Sequence, residues 1–252
     1  VKSALRSLRL FVVVVLAVAA FVAFPLAFPK PLFAYSVERG SLSIHSDEPI
    51  PAGEGERVLA EIEERLARSP LAEFDAPLAL YVANSAWRRA WIWIVAPGNA
   101  GGFIAAPATR GHAFLSGADF ESDELIAPSG FRTQPPRTLA YYGAHELTHV
   151  QTVRALGVVR FHLAPAWVRE GLADYVGMPP ESAAELHASI GTRDADLEMM
   201  RAYGVYAPWR LIVTGLLEEA GWSIEDLLAS RVGADEARRV ALDSLRSSRG
   251  AR

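Results

Sequence analysis

From Arg137 to the C-terminus the apolar residues recur at helical spacing with no strand-like interval, and this half of the chain limits the fold most. The spacing predicts helices over 137–156, 166–176, 180–190, 193–203, 206–220, 223–230 and 234–248. The first half reads differently. Residues 34–45 suit one or two short strands, and Gly53 to Arg68 forms an amphipathic pattern with Val58, Leu59, Ile62 and Leu66 on one face. Pro70 ends that helix, and Leu78 to Ala83 reads as a buried strand. Asn84 or Ser85 is placed to cap a short helix carrying Trp87 and Trp91. Gly102 to Ala106 and Ala113 to Leu115 read as short strands around a turn at Thr109 to Gly111. Residues 117–136 read as a long surface loop whose acids (Asp119, Glu121, Asp123 and Glu124) could serve a lid, but a solvated acidic loop is the preferred account of them. The expected class is therefore α+β, with a small N-terminal mixed sheet and a helical C-terminal half.

Ahead of this lies a run from Leu10 to Phe28, nineteen residues without a charge and broken only by Pro25. At about 1.5 Å per residue it reaches roughly 28 Å, close to the hydrocarbon thickness of a bilayer. Lys2, Arg6 and Arg9 precede it, which predicts a cytoplasmic N-terminus. The expectation is a transmembrane signal-anchor in residues 1–30 that tethers an extracytoplasmic domain, residues 31–252, facing the periplasm or cell exterior. A cleaved signal peptide is the competing reading, since Ala17 and Ala19 offer a small-x-small site, but apolar residues continue well past it.

Composition removes several function classes. The chain has no cysteine, so disulfide frameworks, thiolate metal sites and cysteine nucleophiles are excluded, and any metal must rest on histidine and carboxylates. Half the residues are apolar, which is enough to fill a core. Four of the 25 basic residues (Lys2, Arg6, Arg9 and Lys30) and none of the 29 acidic ones fall in residues 1–30, so the remainder moves from a formal charge of −4 to −8. That balance argues against a nucleic-acid partner.

The chemistry concentrates in His145-Glu-Leu-Thr-His149, an H-E-x-x-H sequence inside a predicted helix. Histidines four apart on a helix project from nearly one face, so their imidazoles can converge on one ion. Glu146 follows the first of them and can reach a bound water without being a ligand. Leu139, Ala140, Leu147, Val150, Val153 and Leu156 make the helix a core helix rather than a solvated one. Residues 167–175 read Trp-Val-Arg-Glu-Gly-Leu-Ala-Asp-Tyr, so Glu170 lies 21 residues beyond His149, room for one connection and a return on a second helix, with Asp174 one turn after Glu170.

Together the two segments resemble the gluzincin clan of zinc peptidases, particularly small membrane-associated members of the peptidase MA-like type. The resemblance covers roughly residues 100–230 and rests on 145–149 and 167–175. It implies a zincin-like fold and Zn2+ held by His145, His149 and Glu170, with Asp174 orienting His145. Glu146 is implied as the catalytic base acting on a water. A Tyr or His after the Glu motif is implied as a donor to the oxyanion; Tyr206 is the first choice, ahead of Tyr203 and His187. The strand pieces between Gly101 and Leu115 fall where such enzymes place an edge strand that pairs with extended substrate. The metzincin pattern does not apply, because it needs a histidine where Ala155 stands.

The expected function is hydrolysis of peptide or protein substrates, endopeptidase before aminopeptidase because no G-x-M-E-N-like segment occurs upstream. The alternative is a zinc-containing but non-hydrolytic peptide-binding or regulatory membrane protein. His45, His112 and His162 read as structural or solvated, and Trp87, Trp91 and Trp93 as core aromatics.

Overall fold

A computed structural model describes residues 2–71, 76–95, 101–109, 111–178 and 193–250, with some side chains within helices left undescribed. The predicted helix over 180–190, with His187, lies outside the described residues, as does the Trp93 side chain.

Five strands form one mixed sheet: β1 (Tyr35–Arg39), β2 (Leu42–Ser46), β3 (Leu78–Val82), β4 (Gly102–Phe103) and β5 (His112–Leu115). Their order is β1-β2-β3-β5-β4; the two outer pairs are antiparallel and the inner two parallel. Helix α2 (Glu54–Ala67) makes the crossover from β2 to β3, as parallel pairing requires. Side chains alternate across the pleat. Ile44, Leu80, Val82, Ala113 and Leu115 enter the main core with Val58, Leu59 and Ile62 of α2, whereas Tyr81 and Phe114 enter a smaller cluster on the other face with Ile92 of α3 (Ala86–Val95).

The rest of the fold is helical except for a short hairpin of β6 (Ala118–Asp119) and β7 (Glu124–Leu125). Helices α4 (Leu139–Leu156), α5 (Val158–Leu163), α6 (Ala166–Gly177), α7 (Arg193–Tyr203), α8 (Ala207–Thr214), α9 (Ile224–Ala229) and α10 (Ala234–Gly250) follow. The α+β class, mixed sheet and helical second half agree with the sequence. The segment expected as one helix over 206–220 is α8 followed by a π turn at Gly215–Glu219. Here α10 comes so close that a side chain on Gly215 would meet Ala241 Cβ at 2.8 Å.

Two expectations are corrected. Residues 117–136 are not a free loop. Phe120 and Leu125 are buried in the main core, and Arg132 ties the two strands of the hairpin by binding Asp119 and Glu124 at 2.8 Å each. The membrane anchor is the second. Lys2–Ala27 do form one helix, α1, with side chains described in part, but among the described residues no helix is long and apolar enough to cross a membrane. The transmembrane helix, and with it the single-pass membrane placement facing the periplasm or exterior, is withdrawn on that finding. The end of α1 is used by the folded domain instead. Leu26 is buried beside Phe33, Tyr81 and Phe114, and its carbonyl accepts a hydrogen bond from His112 Nε2 at 2.7 Å. Part of the apolar run counted toward a span is thus core for the sheet, and Pro25 lies inside the helix, where it cannot donate a backbone hydrogen bond.

Candidate metal centre

Helix α4 passes through the middle of the molecule because almost every residue from Leu139 to Thr152 is buried. Thr138 caps it, its side chain accepting from the Tyr141 N–H at 3.3 Å, a contact worth about 1 kcal/mol in typical helices. Helix α6 packs across α4, and α8 packs on α6 at Gly171, where a Cβ would meet the Trp209 carbonyl oxygen at 2.8 Å. Only glycine permits that approach. The three helices set the depth of every residue in the site.

His145 and His149 project from one face of α4 toward Glu170 of α6. Glu170 Oε2 lies 3.5 Å from His145 Nε2 and 3.3 Å from His149 Nε2, and the three donor groups lie within 4.8 Å of one another. Donors about 2.0–2.1 Å from a shared tetrahedral ion stand roughly 3.3–3.5 Å apart. The spacing from Glu170 to each histidine, and the donor types of the three, therefore fit a zinc-sized cation. Burial alone would raise the Glu170 carboxyl, but hydrogen bonds from both histidines and their charge outweigh it and carry it well below the usual carboxylate range. It offers an anion to a ligand at any physiological pH.

Glu146 is buried beside the trio without joining it. Its carboxyl is pushed up to about 7, first by burial and then by the nearby Glu170 charge, against the lowering effect of His145. An acid poised near neutrality can both take and return a proton. Edge strand β4 walls it in: a Cβ on Gly102 would stand 2.6 Å from Glu146 Cγ and 2.8 Å from Oε1.

These groups open on a cleft of about 310 Å³, lined also by Gly102, Phe103, Tyr142, Phe161, Arg169 and Tyr206. Tyr206, at the start of α8, stacks on His145 with ring centroids 5.6 Å apart and on Trp209 at 5.7 Å. Burial, then the charges of Glu170, Glu146 and Asp174, push its phenol up to about 12, so it is a donor throughout the neutral range. A larger open hollow of about 950 Å³ beside Pro70, Leu156 and Glu225 has none of this trio on its walls. Size is therefore a poor guide to the chemistry here.

Asp174 is placed behind the trio, but its hydrogen bond goes to the Tyr141 hydroxyl, which donates to Oδ1 at 2.6 Å. His145 Nδ1 and His149 Nδ1 are buried without hydrogen-bond partners. Arg210 of α8 lies next to Asp174, with Nε 3.6 Å from Oδ2. Tyr203 lies under that guanidinium at 5.4 Å and is not among the residues lining the cleft. His45 stacks on Tyr81 in the sheet, His112 binds Leu26, and His162 lines the cleft. Trp91 packs partly buried against the smaller cluster, whereas Trp87 is largely exposed.

Sequence reasoning overlooked Tyr141, Tyr142, Phe161, Arg169 and Arg210. A signal existed for the first two, since Tyr141 and Tyr142 sit four residues before His145 and Glu146 and so share their helix faces. Comparison with family models, curated proteins and solved structures finds no match to this chain.

Proposed function

We propose that the chain is a zinc-dependent peptidase whose metal is held by His145, His149 and Glu170. The observation that carries this is the conjunction, in one cleft, of His145, His149 and Glu170, with donor atoms within 4.8 Å of one another, and a buried carboxylate, Glu146, beside them. The H-E-x-x-H and W-x-x-E-G-x-A-D-Y segments, with their resemblance to gluzincin peptidases, support the same reading.

His145, His149 and Glu170 would hold a zinc ion, which would supply Lewis acidity to a water and to a substrate carbonyl. The chain's own residues do the remainder. Glu146, buried beside the trio without joining it, accepts the proton of the attacking water and delivers it to the departing amine. Tyr206 keeps its proton and donates a hydrogen bond to the oxygen that gains charge. Gly102 leaves Glu146 the space it occupies, and the backbone of β4 lies along the cleft where an extended peptide can add as a strand.

The test is metal content by elemental analysis of the full chain, with cleavage of an unfolded protein assayed beside Glu146→Gln. One zinc per chain in both proteins, with cleavage reduced about 100-fold or more in the variant, is the expected result. Zinc with no cleavage in the parent protein would move the function to peptide binding, and absence of zinc would remove the proposal.

A further inference from the structure

Arg169 is the one guanidinium or ammonium group among the residues lining the cleft. It immediately precedes the ligand Glu170, yet no described carboxylate lies within ion-pair distance of it, and Glu170 is occupied by the two histidines. Its Nε is buried and has no hydrogen-bond partner. The guanidinium lies over the Phe161 ring, 5.3 Å from the centroid, and that ring stands edge-on to His149 at 5.9 Å. In a chain with 29 acidic residues, a half-buried cation inside the cleft with no carboxylate partner among the described residues is a feature to account for. Stacking on Phe161 holds the planar fork in one orientation, and buried donors without acceptors are costly unless a ligand supplies them. A guanidinium so held matches a carboxylate through two parallel hydrogen bonds. The two ends of the cleft differ accordingly: Tyr206 stacks at the His145 end, whereas Phe161 and Arg169 close the His149 end.

Resting on the peptidase reading above, we infer that Arg169 selects peptides that present a carboxylate on the His149 side of the metal centre. Two sources share that chemistry, the side chain of an acidic residue and the substrate's own C-terminus. They imply different enzymes: the first an endopeptidase with an acidic preference, the second an enzyme that trims near chain ends.

The test uses the full, zinc-loaded chain carrying Glu146→Gln, so that binding is read without turnover, and calorimetric Kd values for matched peptides. One pair differs only in Glu against Gln with an amidated end, and a second only in a free against an amidated C-terminus. The same peptides are then offered to the parent protein for kcat and KM. The expected result is a preference of roughly tenfold or more for the carboxylate member of one pair, seen in Kd and KM rather than kcat. The pair that responds identifies the source. Arg169→Gln should bring that ratio to about 1, and Arg169→Lys, which keeps the charge but loses the fork, should restore part of it. Equal affinities in both pairs, or a preference that survives Arg169→Gln, would overturn the inference. Failure of the parent to cut any peptide would instead count against hydrolysis, and the binding ratios would still decide the role of Arg169.

Discussion

Asp47, at the end of β2, and Asp174, behind the metal centre, are both buried carboxylates, and their surroundings differ in kind. Asp47 accepts from the backbone N–H groups of Asn84 and Ser85 at 2.6 and 3.1 Å, from the Ser85 hydroxyl, and from Arg88 at 2.9 Å. Burial opposes its charge, but those hydrogen bonds outweigh burial and lower its pKa. It joins the end of one strand to the start of α3, and all its acceptor capacity is used. Asp174 has one hydrogen bond, from Tyr141, and Oδ2 has none. The three guanidinium nitrogens of neighbouring Arg210 are also without hydrogen-bond partners, although Arg210 is 2% exposed. Burial therefore prevails over the opposing charges of Arg210 and His145, and the Asp174 pKa is raised. The two carboxylates, one in the scaffold and one behind the candidate site, thus differ in how completely their acceptor atoms are satisfied.

The comparison can be broken from either side. The largest effect is expected at the site itself. Glu170→Ala removes a ligand and should weaken zinc binding by more than the roughly 10–100-fold typical of a supporting residue, as read by competition with a chromogenic chelator. Its urea midpoint in the metal-free state should stay near the parent's. A folding defect as large as that of Asp47→Asn would erase the division between scaffold and site.

Asp47→Asn comes next and should act in reverse. Replacing a carboxylate whose charge is engaged by Arg88 and three other donors should cost about 3 kcal/mol of stability, measured by urea unfolding, while zinc affinity in the folded protein is unchanged. Asp174→Asn should weaken zinc binding far less than Glu170→Ala, because Asp174 bonds Tyr141 and not His145, and should change stability by about 1 kcal/mol or less, because a raised pKa means the charge is not favoured by folding. A loss near that of Asp47→Asn would make Asp174 a structural residue.

The smallest effect is in pH dependence, and the two acids differ in sign. The folded pKa of Asp47 lies below its unfolded value of about 3.9. Its contribution is present above that value and is lost as pH falls through the folded pKa. Asp174 has a folded pKa above the unfolded value, so its ionisation opposes folding, and the opposition is relieved as pH falls through the folded pKa. For the metal-free chain titrated from about pH 6 downward, Asp47→Asn should flatten the acid loss and Asp174→Asn should steepen it. Slopes moving in the same direction would contradict this account.

The histidine pair could be read from the chain because His145 and His149 share a helix face by spacing alone, whereas Glu170, 21 residues on, was implied by the resemblance of the W-x-x-E-G-x-A-D-Y segment and not by spacing. What could not be read depended on contacts between distant segments. Arg210 meets Asp174 only because Gly171 lets α8 approach α6, and Gly102 meets Glu146 only because β4 pairs at the sheet edge next to α4. The surface loop expected at 117–136 failed for a related reason. Its acids drew attention, but Phe120 and Leu125 decide where the segment goes. Of the run Leu10–Phe28, hydropathy could not show that Leu26 at its end packs in the core of the sheet, while Leu10 to Val15, Phe24 and Phe28 are exposed.

The contact between Gly102 and Glu146 also bears on how such a protein can diverge. Under the proposed chemistry, the base is confined between a rigid helix and an edge strand, and the strand contributes a hydrogen atom where other residues carry carbon. One methyl group at position 102 would displace the carboxylate while leaving His145, His149 and Glu170 in place. A lineage could thereby exchange turnover for metal-dependent peptide capture in one codon change, and among relatives the residue at 102 would tell cutters from binders even where the H-E-x-x-H sequence is intact.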